Sequence, residues 1–323
     1  MKYPLLSILI PVRNYDASQL VADFLHLARR EGLEVEIIVA DDASTIPLTW
    51  AQQFSVDKRF HLLHFLKNQG RARTCNRLAE AAHAPWLLIV DCDAQIPPTF
   101  SLLAYLRATQ PSSFPSAIST SVSIVDGFAA DLPPAFLVVC GGLRHPETLP
   151  TPNVTLRYRY ERHADLRRNA SFRSQHPYAQ FSTFSLLIQR TTFLEVRFDE
   201  SCTDYGHEDT LFGAELQRRS IPIRHIDNPL IHLGLEPNEI FLAKTETGLR
   251  SLRRLAPQLQ NNSQLLTTAR YLSRLHLTAP VRLLYRLTFP LLRRNLLGRH
   301  PLLPLFSFYK LGYFLTLPPK TEP

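Results

Sequence analysis

The chain has 323 residues, of which 45% are hydrophobic, 20% charged and 10% aromatic, with 25 prolines but only 11 glycines. This composition is that of a globular protein with a sizeable core and argues against a disordered, collagen-like or coiled-coil protein. Neither G-x-G-x-x-G nor G-x-x-x-x-G-K-[ST] occurs, which argues against Rossmann dinucleotide binding and P-loop hydrolysis.

The cysteines and the apolar stretches indicate a cytoplasmic chain. The four cysteines are far apart and form neither a C-x-x-C pair nor a zinc-finger spacing. The opening MKYPLLSILIPVRN has too short an apolar run for a signal peptide and lacks a small-residue cleavage site, so we expect a first strand there. Because Arg or Lys interrupts every apolar stretch in the C-terminal third, no membrane-spanning helix is expected.

Apolar spacing predicts the elements of the first hundred residues. The sequence predicts strands at 7–11, 35–40 and 86–90, with helices at 19–30 and 76–84 between them. The strand at 86–90 contains almost no polar residue, as is typical of a strand that is buried on both faces. Strands that alternate with helices predict an α/β protein with a mostly parallel sheet.

The pattern weakens in the middle of the chain and then returns. Residues 111–180 are rich in Pro and Ser, and we expect loops and short strands there. Periodicity returns with a strand at 184–188, a helix at 210–219 and short strands at 222–226 and 230–232. No internal repeat of 20–50 residues is visible.

The net charge of +8 belongs entirely to the C-terminal end. Nine Lys and Arg follow residue 269 against one acid, Glu322, whereas residues 1–269 hold 27 charges of each sign. The same segment is rich in leucines at helical spacing, which predicts basic amphipathic helices. Such helices lie on an anionic membrane surface, or pack their leucines on the main domain and leave the arginines in solvent. A nucleic-acid partner is not expected, since the main domain is neutral and an RNP-like aromatic motif is missing.

Acidic residues follow two of the predicted strands. Asp41 and Asp42 end one strand, and Asp91 and Asp93 follow another. The carboxyl ends of parallel strands share one edge, where ligands of such sheets bind, so both pairs should converge on one crevice. Two carboxylates at i and i+2 repel each other unless a cation or several donors neutralise them, and hard oxygen ligands suit Mg²⁺ or Mn²⁺ on a diphosphate. The alternative is a pair of ordinary acidic turn residues.

Six segments resemble, in the same order, the motifs of family 2 glycosyltransferases of the GT-A fold. The first two are its opening strands, and the third resembles the start of a helix. The others resemble the D-x-D motif, the acceptor-side ED motif and a strand with a late histidine. The segments are 7–14 (SILIPVRN), 36–45 (EIIVADDAST), 68–76 (NQGRARTCN), 91–94 (DCDA), 205–209 (YGHED) and 228–234 (NPLIHLG).

The resemblance implies a fold and an activity. It implies a GT-A α/β domain at 1–235, with a mostly parallel central sheet flanked by helices, followed by a basic helical region at 236–323. The activity implied is an inverting, metal-dependent transfer of a hexosyl group from a nucleotide-sugar, with a UDP-sugar as first candidate. The acceptor would be a hydroxyl of a glycan or lipid-linked glycan in cell-envelope polysaccharide biosynthesis. The enzyme would be cytoplasmic, either free or peripheral on the inner face of the membrane.

The resemblance also implies roles for single residues. Asp209 would be the catalytic base, with Glu208 a second candidate or a group that orients the acceptor. Asp93 would hold Mn²⁺ or Mg²⁺ with help from Asp91, directly or through water, and His232 would complete the metal sphere, touch the diphosphate or be structural. The residues expected to bind the nucleotide-sugar are Pro11, Asn14, Asp41, Asp42, Asn68, Gly70, Arg71 and Asp91.

Two departures and one rival function accompany this interpretation. Ala43 stands where the family usually has Gly, and Arg13 where it usually has Tyr, but neither change removes a reactive group. The rival is a non-catalytic nucleotide- or glycan-binding module held on a membrane by its basic tail. A nucleotidyltransferase is disfavoured because its glycine-rich basic signature near the first strand is missing.

Overall fold

The structure, a computed structural model, describes residues 4–110, 135–179, 181–202, 206–259 and 263–318. The strands are β1 (Leu6–Val12), β2 (Val35–Asp42), β3 (Phe60–Phe65), β4 (Trp86–Val90), β5 (Ala94–Gln95), β6 (Val138–Cys140), β7 (Leu143–Arg144), β8 (Ser185–Gln189), β9 (Ile223–His225) and β10 (Leu230–His232). The helices are α1 (Ser18–Glu31), α2 (Arg71–Ala81), α3 (Leu102–Ala108), α4 (Thr155–Asp165), α5 (Ala170–Gln175), α6 (Arg190–Val196), α7 (Glu208–Arg218), α8 (Asn238–Arg254), α9 (Gln264–Arg274), α10 (Thr278–Leu296) and α11 (Leu303–Thr316).

The central sheet has the order β3-β2-β1-β4-β8-β6-β9 within the described residues. Only β8 runs antiparallel to its neighbours β4 and β6, and the other pairs are parallel. Every residue of β2 and β4 is buried, because helices cover both faces of the sheet. One core contains Phe24 of α1 and Tyr105 of α3, and the other contains Leu78 of α2 and Phe212 of α7. The predicted α/β fold class is confirmed.

A small second sheet, in the order β5-β10-β7, lies beside the end of β4. Strand β10 pairs antiparallel with β5, so that His232 faces Ala94. On its other side β10 runs parallel to β7, where Ile231 faces Arg144. This register brings the residues next to these pairs, Asp93 and His145, to either side of His232.

The expectation of loops and short strands at 111–180 is wrong for α4 and α5, while 111–134 and Gln180 lie outside the described residues. Helix α4 has the highly charged sequence TLRYRYERHAD, without a clear apolar stripe. Its helical structure is stabilised by tertiary contacts instead. Leu156 is fully buried, and Arg157 Nη1 lies 2.6 Å from Glu236 Oε2 at the start of the helical region. Tertiary packing here outweighs the local sequence pattern.

All the secondary-structure elements described after β10 are helices. Helices α8, α10 and α11 share an apolar cluster with Leu156 of α4, and its buried members from these three helices are Leu242, Tyr285, Leu292, Leu296, Phe306 and Tyr309. The leucines of this region therefore divide between a packed face and an exposed one. None of the described helices is both long enough and apolar enough to cross a bilayer.

A buried Arg–His contact joins α5 to the edge of the central sheet. The Arg173 guanidinium donates to four backbone carbonyls and, at 2.8 Å, to Nδ1 of His225 on β9. The other ring nitrogen, Nε2, lies 3.0 Å from the Pro177 carbonyl and donates to it. Burial, together with the charge of Arg173, lowers the pKa of His225 to about 4. His225 is therefore neutral at physiological pH.

This contact makes the folded state sensitive to acid. The unfolded chain protonates His225 below about pH 6.5 but the folded chain only near pH 4, so the free energy of unfolding falls as the pH falls between these values. Denaturant unfolding at pH 7 and pH 4.5 measures the loss. We expect it to be about 2 kcal/mol larger for the wild type than for His225→Gln, whose amide keeps an acceptor and a donor. Equal losses in the two proteins would contradict this assignment.

Candidate active site

The carboxyl ends of β1, β2 and β4 meet at one edge of the central sheet and border a cavity of about 390 Å³. Eight of the predicted site residues line the cavity: Pro11, Asp42, Asn68, Gly70, Arg71, Asp91, Asp93 and Glu208. Of the other four, Asp209 and His232 contact lining residues, whereas Asn14 and Asp41 hold the loop after β2. Tyr205 of the ED segment lies outside the described residues.

Arg71, the first residue of α2, joins two acidic segments of the site. Its Nε and Nη2 lie 3.0 and 2.5 Å from Asp91 Oδ1, after β4. Its Nη1 lies 3.2 Å from Oδ1 of Asp209, in the first turn of α7. Burial acts to lower the pKa of Arg71, but these two carboxylates outweigh it and hold the pKa well above its ordinary value. Arg71 is therefore a permanent cation between acids that would otherwise repel each other.

Asp209 is oriented by three donors. Besides Arg71, the Thr183 hydroxyl donates to Oδ1, and the Thr183 amide donates to Oδ2 at 3.1 Å. A carboxylate has about four lone-pair positions, so one position on Oδ2 remains for a further donor. The Asp209 side chain is 32% exposed, so this position is within reach of a ligand.

Glu208 has a different environment from its neighbour Asp209. Its Oε2 is buried and has no hydrogen-bond partner among the described residues. Burial, and secondarily the charge of Asp209, raises the pKa of Glu208 above its ordinary value. The two adjacent carboxyl groups therefore differ, with one fixed and accessible and the other shielded and less acidic.

A chain of four side chains extends from the cavity into the protein. Asp93 Oδ2 lies 3.0 Å from His232 Nε2, His232 Nδ1 lies 3.1 Å from His145 Nε2, and His145 Nδ1 lies 3.0 Å from Asp165 Oδ1. Both histidines are buried. Burial acts to raise the pKa of Asp93, but the hydrogen bond and the charge of His232 outweigh it and lower the pKa.

The order of these contacts assigns the imidazole protons. Asp165 accepts the Nδ1 proton of His145, which leaves His145 Nε2 as an acceptor for the Nδ1 proton of His232. The Nε2 lone pair of His232 then faces the Asp93 carboxylate, an arrangement that needs a cation between them, either a proton or a metal ion. An added Cβ at Gly234 would lie 1.9 Å from Asp93 Oδ2, so the close approach of the Asp93 carboxylate requires glycine here.

The two acids at the end of β2 already have protein partners. Asp41 accepts from the Ser44 amide at 2.9 Å and lies 3.0 Å from His64 Nδ1. Asp42 accepts from the amides of Gln69 and Gly70, at 2.7 and 2.9 Å, and so fixes the start of α2. Of the two, only Asp42 lines the cavity.

The loop after β2 has a strained conformation. Ala43, which stands where the family usually has Gly, has a φ of 54°, in the left-handed region. An alanine there costs about 1 kcal/mol relative to a glycine. Asn14 holds the loop by two hydrogen bonds. Its Oδ1 accepts from the backbone amide of Thr45 at 2.7 Å, and its backbone amide donates to Ser44 Oγ at 2.8 Å.

The structure adds four residues that the sequence did not indicate as site residues. Thr183 orients Asp209, His145 and Asp165 orient His232, and Arg13 lines the cavity. Arg13 was visible as a departure from the family pattern. The other three are ordinary polar residues in sequence, and only the tertiary fold brings them to the site.

Comparisons with known proteins concern the family and the fold. Residues 7–117 match the family model described as Glycosyl transferase family 2. A search of curated protein sequences finds no significant match. Among solved structures, the mannosyltransferase PcManGT from Pyrobaculum calidifontis, in complex with GDP-Man and Mn²⁺, aligns with a TM-score of 0.50 and 14% identity over 97% of this chain and 85% of that one.

Two structures of S. aureus TarS also align. The first has a TM-score of 0.48 and 16% identity, over 79% of this chain and 40% of that one. The second, of residues 1–349, has a TM-score of 0.46 and 13% identity, over 96% of this chain and 89% of that one. At 14% identity, the likeness to the mannosyltransferase concerns the fold. The expected GT-A fold is confirmed, and the family resemblance is confirmed over residues 7–117.

Proposed function

We propose that this glycosyltransferase transfers a hexosyl group with inversion from a nucleotide-sugar to a hydroxyl of a glycan or lipid-linked glycan. Its residues 7–117 match the model of glycosyl transferase family 2. The observation that carries the proposal is that Asp91 and Asp93 line one cavity while Asp209 lies beside it. Arg71 contacts Asp91 and Asp209, and His232 contacts Asp93. We place the enzyme in the cytoplasm, in polysaccharide synthesis for the cell envelope.

The cavity suits a nucleotide-sugar in size and charge. About 390 Å³ lies within the usual range of small-molecule sites. Arg13 lines it, and α2 begins there, so that a guanidinium and a helix N-terminus are available to the diphosphate. Asp42 keeps unused lone pairs and takes the role of contacting the base. The resemblance favours a UDP-sugar, whereas the similar mannosyltransferase holds GDP-Man, so both donors need testing.

Asp209 is the proposed catalytic base. The acceptor oxygen forms a bond to the anomeric carbon, the bond from that carbon to the diphosphate breaks, and the acceptor proton passes to Oδ2 of Asp209. Thr183 and Arg71 hold this carboxylate in place before the acceptor arrives. Glu208 lines the cavity, and its burial raises its pKa.

The residues beside His232 fit a divalent cation. Asp93 supplies an oxygen and His232 a nitrogen, 3.0 Å apart, and both lie against Gly234, where a side chain would clash with Asp93. A mixed oxygen and nitrogen donor set suits Mn²⁺ better than Mg²⁺. In the described ranges no three His, Cys, Asp or Glu side chains converge to hold an ion, so water and the diphosphate must complete the sphere. The bound ion would offset the charge that develops on the leaving diphosphate.

Asp91 has a smaller part in this proposed metal site than its position in D-x-D suggests. Both hydrogen bonds from Arg71 reach its Oδ1, so its Oδ2 is left to contact the ion through water. His145 and Asp165 are positioning residues, because they hold His232 with its Nε2 lone pair towards Asp93.

Mn²⁺ binding tests the metal site without a turnover assay. Electron paramagnetic resonance of the free ion measures the affinity for Mn²⁺. We expect Asp93→Asn to weaken Mn²⁺ binding by about 100-fold and His145→Gln to weaken it by about 10-fold. His83→Gln is the matched control, since His83 is 73% exposed and also contacts a carboxylate, that of Glu36. Unchanged affinity in Asp93→Asn would contradict the site, and unchanged affinity in His145→Gln would contradict the positioning role.

The activity itself is tested by release of nucleoside diphosphate from UDP-, GDP- and dTDP-sugars with Mn²⁺. One donor should be cleaved, and Asp209→Asn should lower kcat by about 10²–10⁴ while donor affinity stays within about twofold. Thr183→Val, which removes one of the three contacts to Asp209, should lower kcat by about tenfold. Full activity in Asp209→Asn together with loss in Glu208→Gln would reassign the base. Nucleotide binding without cleavage of any donor would favour the non-catalytic module.

A further inference from the structure

The exposed face of α10 differs from the rest of the surface. Leu283, Leu284, Leu287 and Leu291 are each between 52% and 71% exposed. The spacing of 283, 287 and 291 places them on one stripe of the helix. The buried residues of α10, Tyr285 and Leu292 among them, face the opposite side and hold the helix in the bundle. The packing of this helix is therefore satisfied without the exposed stripe.

The charge around this stripe has one sign. No Asp or Glu occurs from residue 247 to residue 321, whereas eleven Lys and Arg lie between Arg250 and Lys310. Arg282, Arg286 and Arg293 flank the leucines on α10 itself. An exposed apolar stripe beside cations is typical of a helix that lies in the interface of an anionic membrane.

A cavity of about 450 Å³ lies between α8, α9, α10 and α11. It is bordered by Arg253 of α8, Arg270 of α9 and Arg282 of α10, and its apolar wall includes Leu266 and Phe314. Arg282 belongs to α10, so the helix that carries the leucine stripe also supplies one wall of the cavity. A wall of arginines beside an apolar floor suits an amphiphile with a phosphate at one end and a hydrocarbon chain at the other.

We propose that this surface, formed by the exposed leucines of α10 and the arginine-lined cavity, docks the enzyme on a bilayer of anionic phospholipid. The leucines enter the interface between headgroups and acyl chains, and the arginines of the cavity bind lipid phosphate. In this arrangement α10 lies along the membrane surface. This proposal concerns where the enzyme binds and does not rest on which donor it uses.

Vesicle co-sedimentation in the absence of donor tests the proposal. The full chain should bind vesicles of phosphatidylcholine with 30% phosphatidylglycerol at least about tenfold more tightly than phosphatidylcholine alone. Replacing Leu283, Leu287 and Leu291 by Ser should lower the partition coefficient by about 100-fold or more. The matched control replaces Leu66 and Leu166, 89% and 75% exposed and far along the chain, by Ser and should leave binding unchanged.

A second pair of variants tests the arginines. Arg253→Gln with Arg282→Gln should weaken binding to the anionic vesicles by about 30-fold, at about fivefold for each charge. Arg29→Gln with Arg30→Gln, two exposed arginines of α1, gives the same net charge and should have a much smaller effect. Each variant's melting temperature is compared with that of the wild type, and the leucine variants test the surface independently if Arg253→Gln fails to fold.

Three results would overturn the proposal. Equal binding to neutral and anionic vesicles would remove the role of the arginines. Displacement from vesicles by millimolar inorganic phosphate at constant ionic strength would show a free-anion site rather than a lipid site. Absence of vesicle binding, with light scattering showing a dimer that the leucine variants abolish, would identify the stripe as a contact between two copies of the chain. Donor cleavage would be unaffected by any of these results.

Discussion

The guanidinium of Arg71 is the contact on which the arrangement of the site depends. It lies between Asp91, at the end of a strand, and Asp209, in the first turn of a helix. Asp209 is 138 positions after Arg71 in the chain. Without a cation at this point, Asp91, Asp209 and Glu208 would repel each other across the cavity. The N-terminus of α7 adds a smaller stabilisation, since a helix dipole favours acids in its first turn. These two contributions reduce the electrostatic repulsion between the three carboxyl groups of the site.

The second sheet contributes the other half of the site. Asp93, His232 and His145 come from three separate segments, and they align because β10 pairs with β5 on one side and with β7 on the other. Backbone pairing fixes the register, and Asp165 then fixes the proton positions along the chain of side chains. Such a chain offers a divalent cation a prearranged nitrogen and oxygen, so little reorganisation is needed when the ion binds.

The sequence predicted those parts of the site whose position follows from a pattern of neighbouring residues. Runs such as 35–40 and 86–90 are mostly apolar, so the strands, their ends and the acids that follow them could be placed. The strand at 86–90 has the same bounds in the structure, whereas α2 begins at Arg71, five residues before the predicted start. That start depends on Asp42, which binds the amides of Gln69 and Gly70, a contact that no local pattern shows.

The remaining parts depend on tertiary contacts. Helix α4 forms because Leu156 is buried in the helical region and Arg157 pairs with Glu236, although its own sequence is mostly charged. The role of Thr183 was invisible for the same reason, since its partner Asp209 lies 26 positions away. Asp41 and Asp42 could be placed at the sheet edge, but only the structure shows that Asp41 turns to Ser44 and His64 while Asp42 lines the cavity.

The stability of Arg71→Met, alone and combined with Asp209→Asn, tests the central claim most directly. Denaturant unfolding at pH 7 should show a loss of about 1–3 kcal/mol in the single variant, because it leaves the carboxylates without their cation in a partly exposed site. The second substitution should restore part of that loss, since it removes one of the repelling charges. If Arg71→Met is as stable as the wild type, or if Asp209→Asn adds a further loss, Arg71 does not hold the acids of this site together.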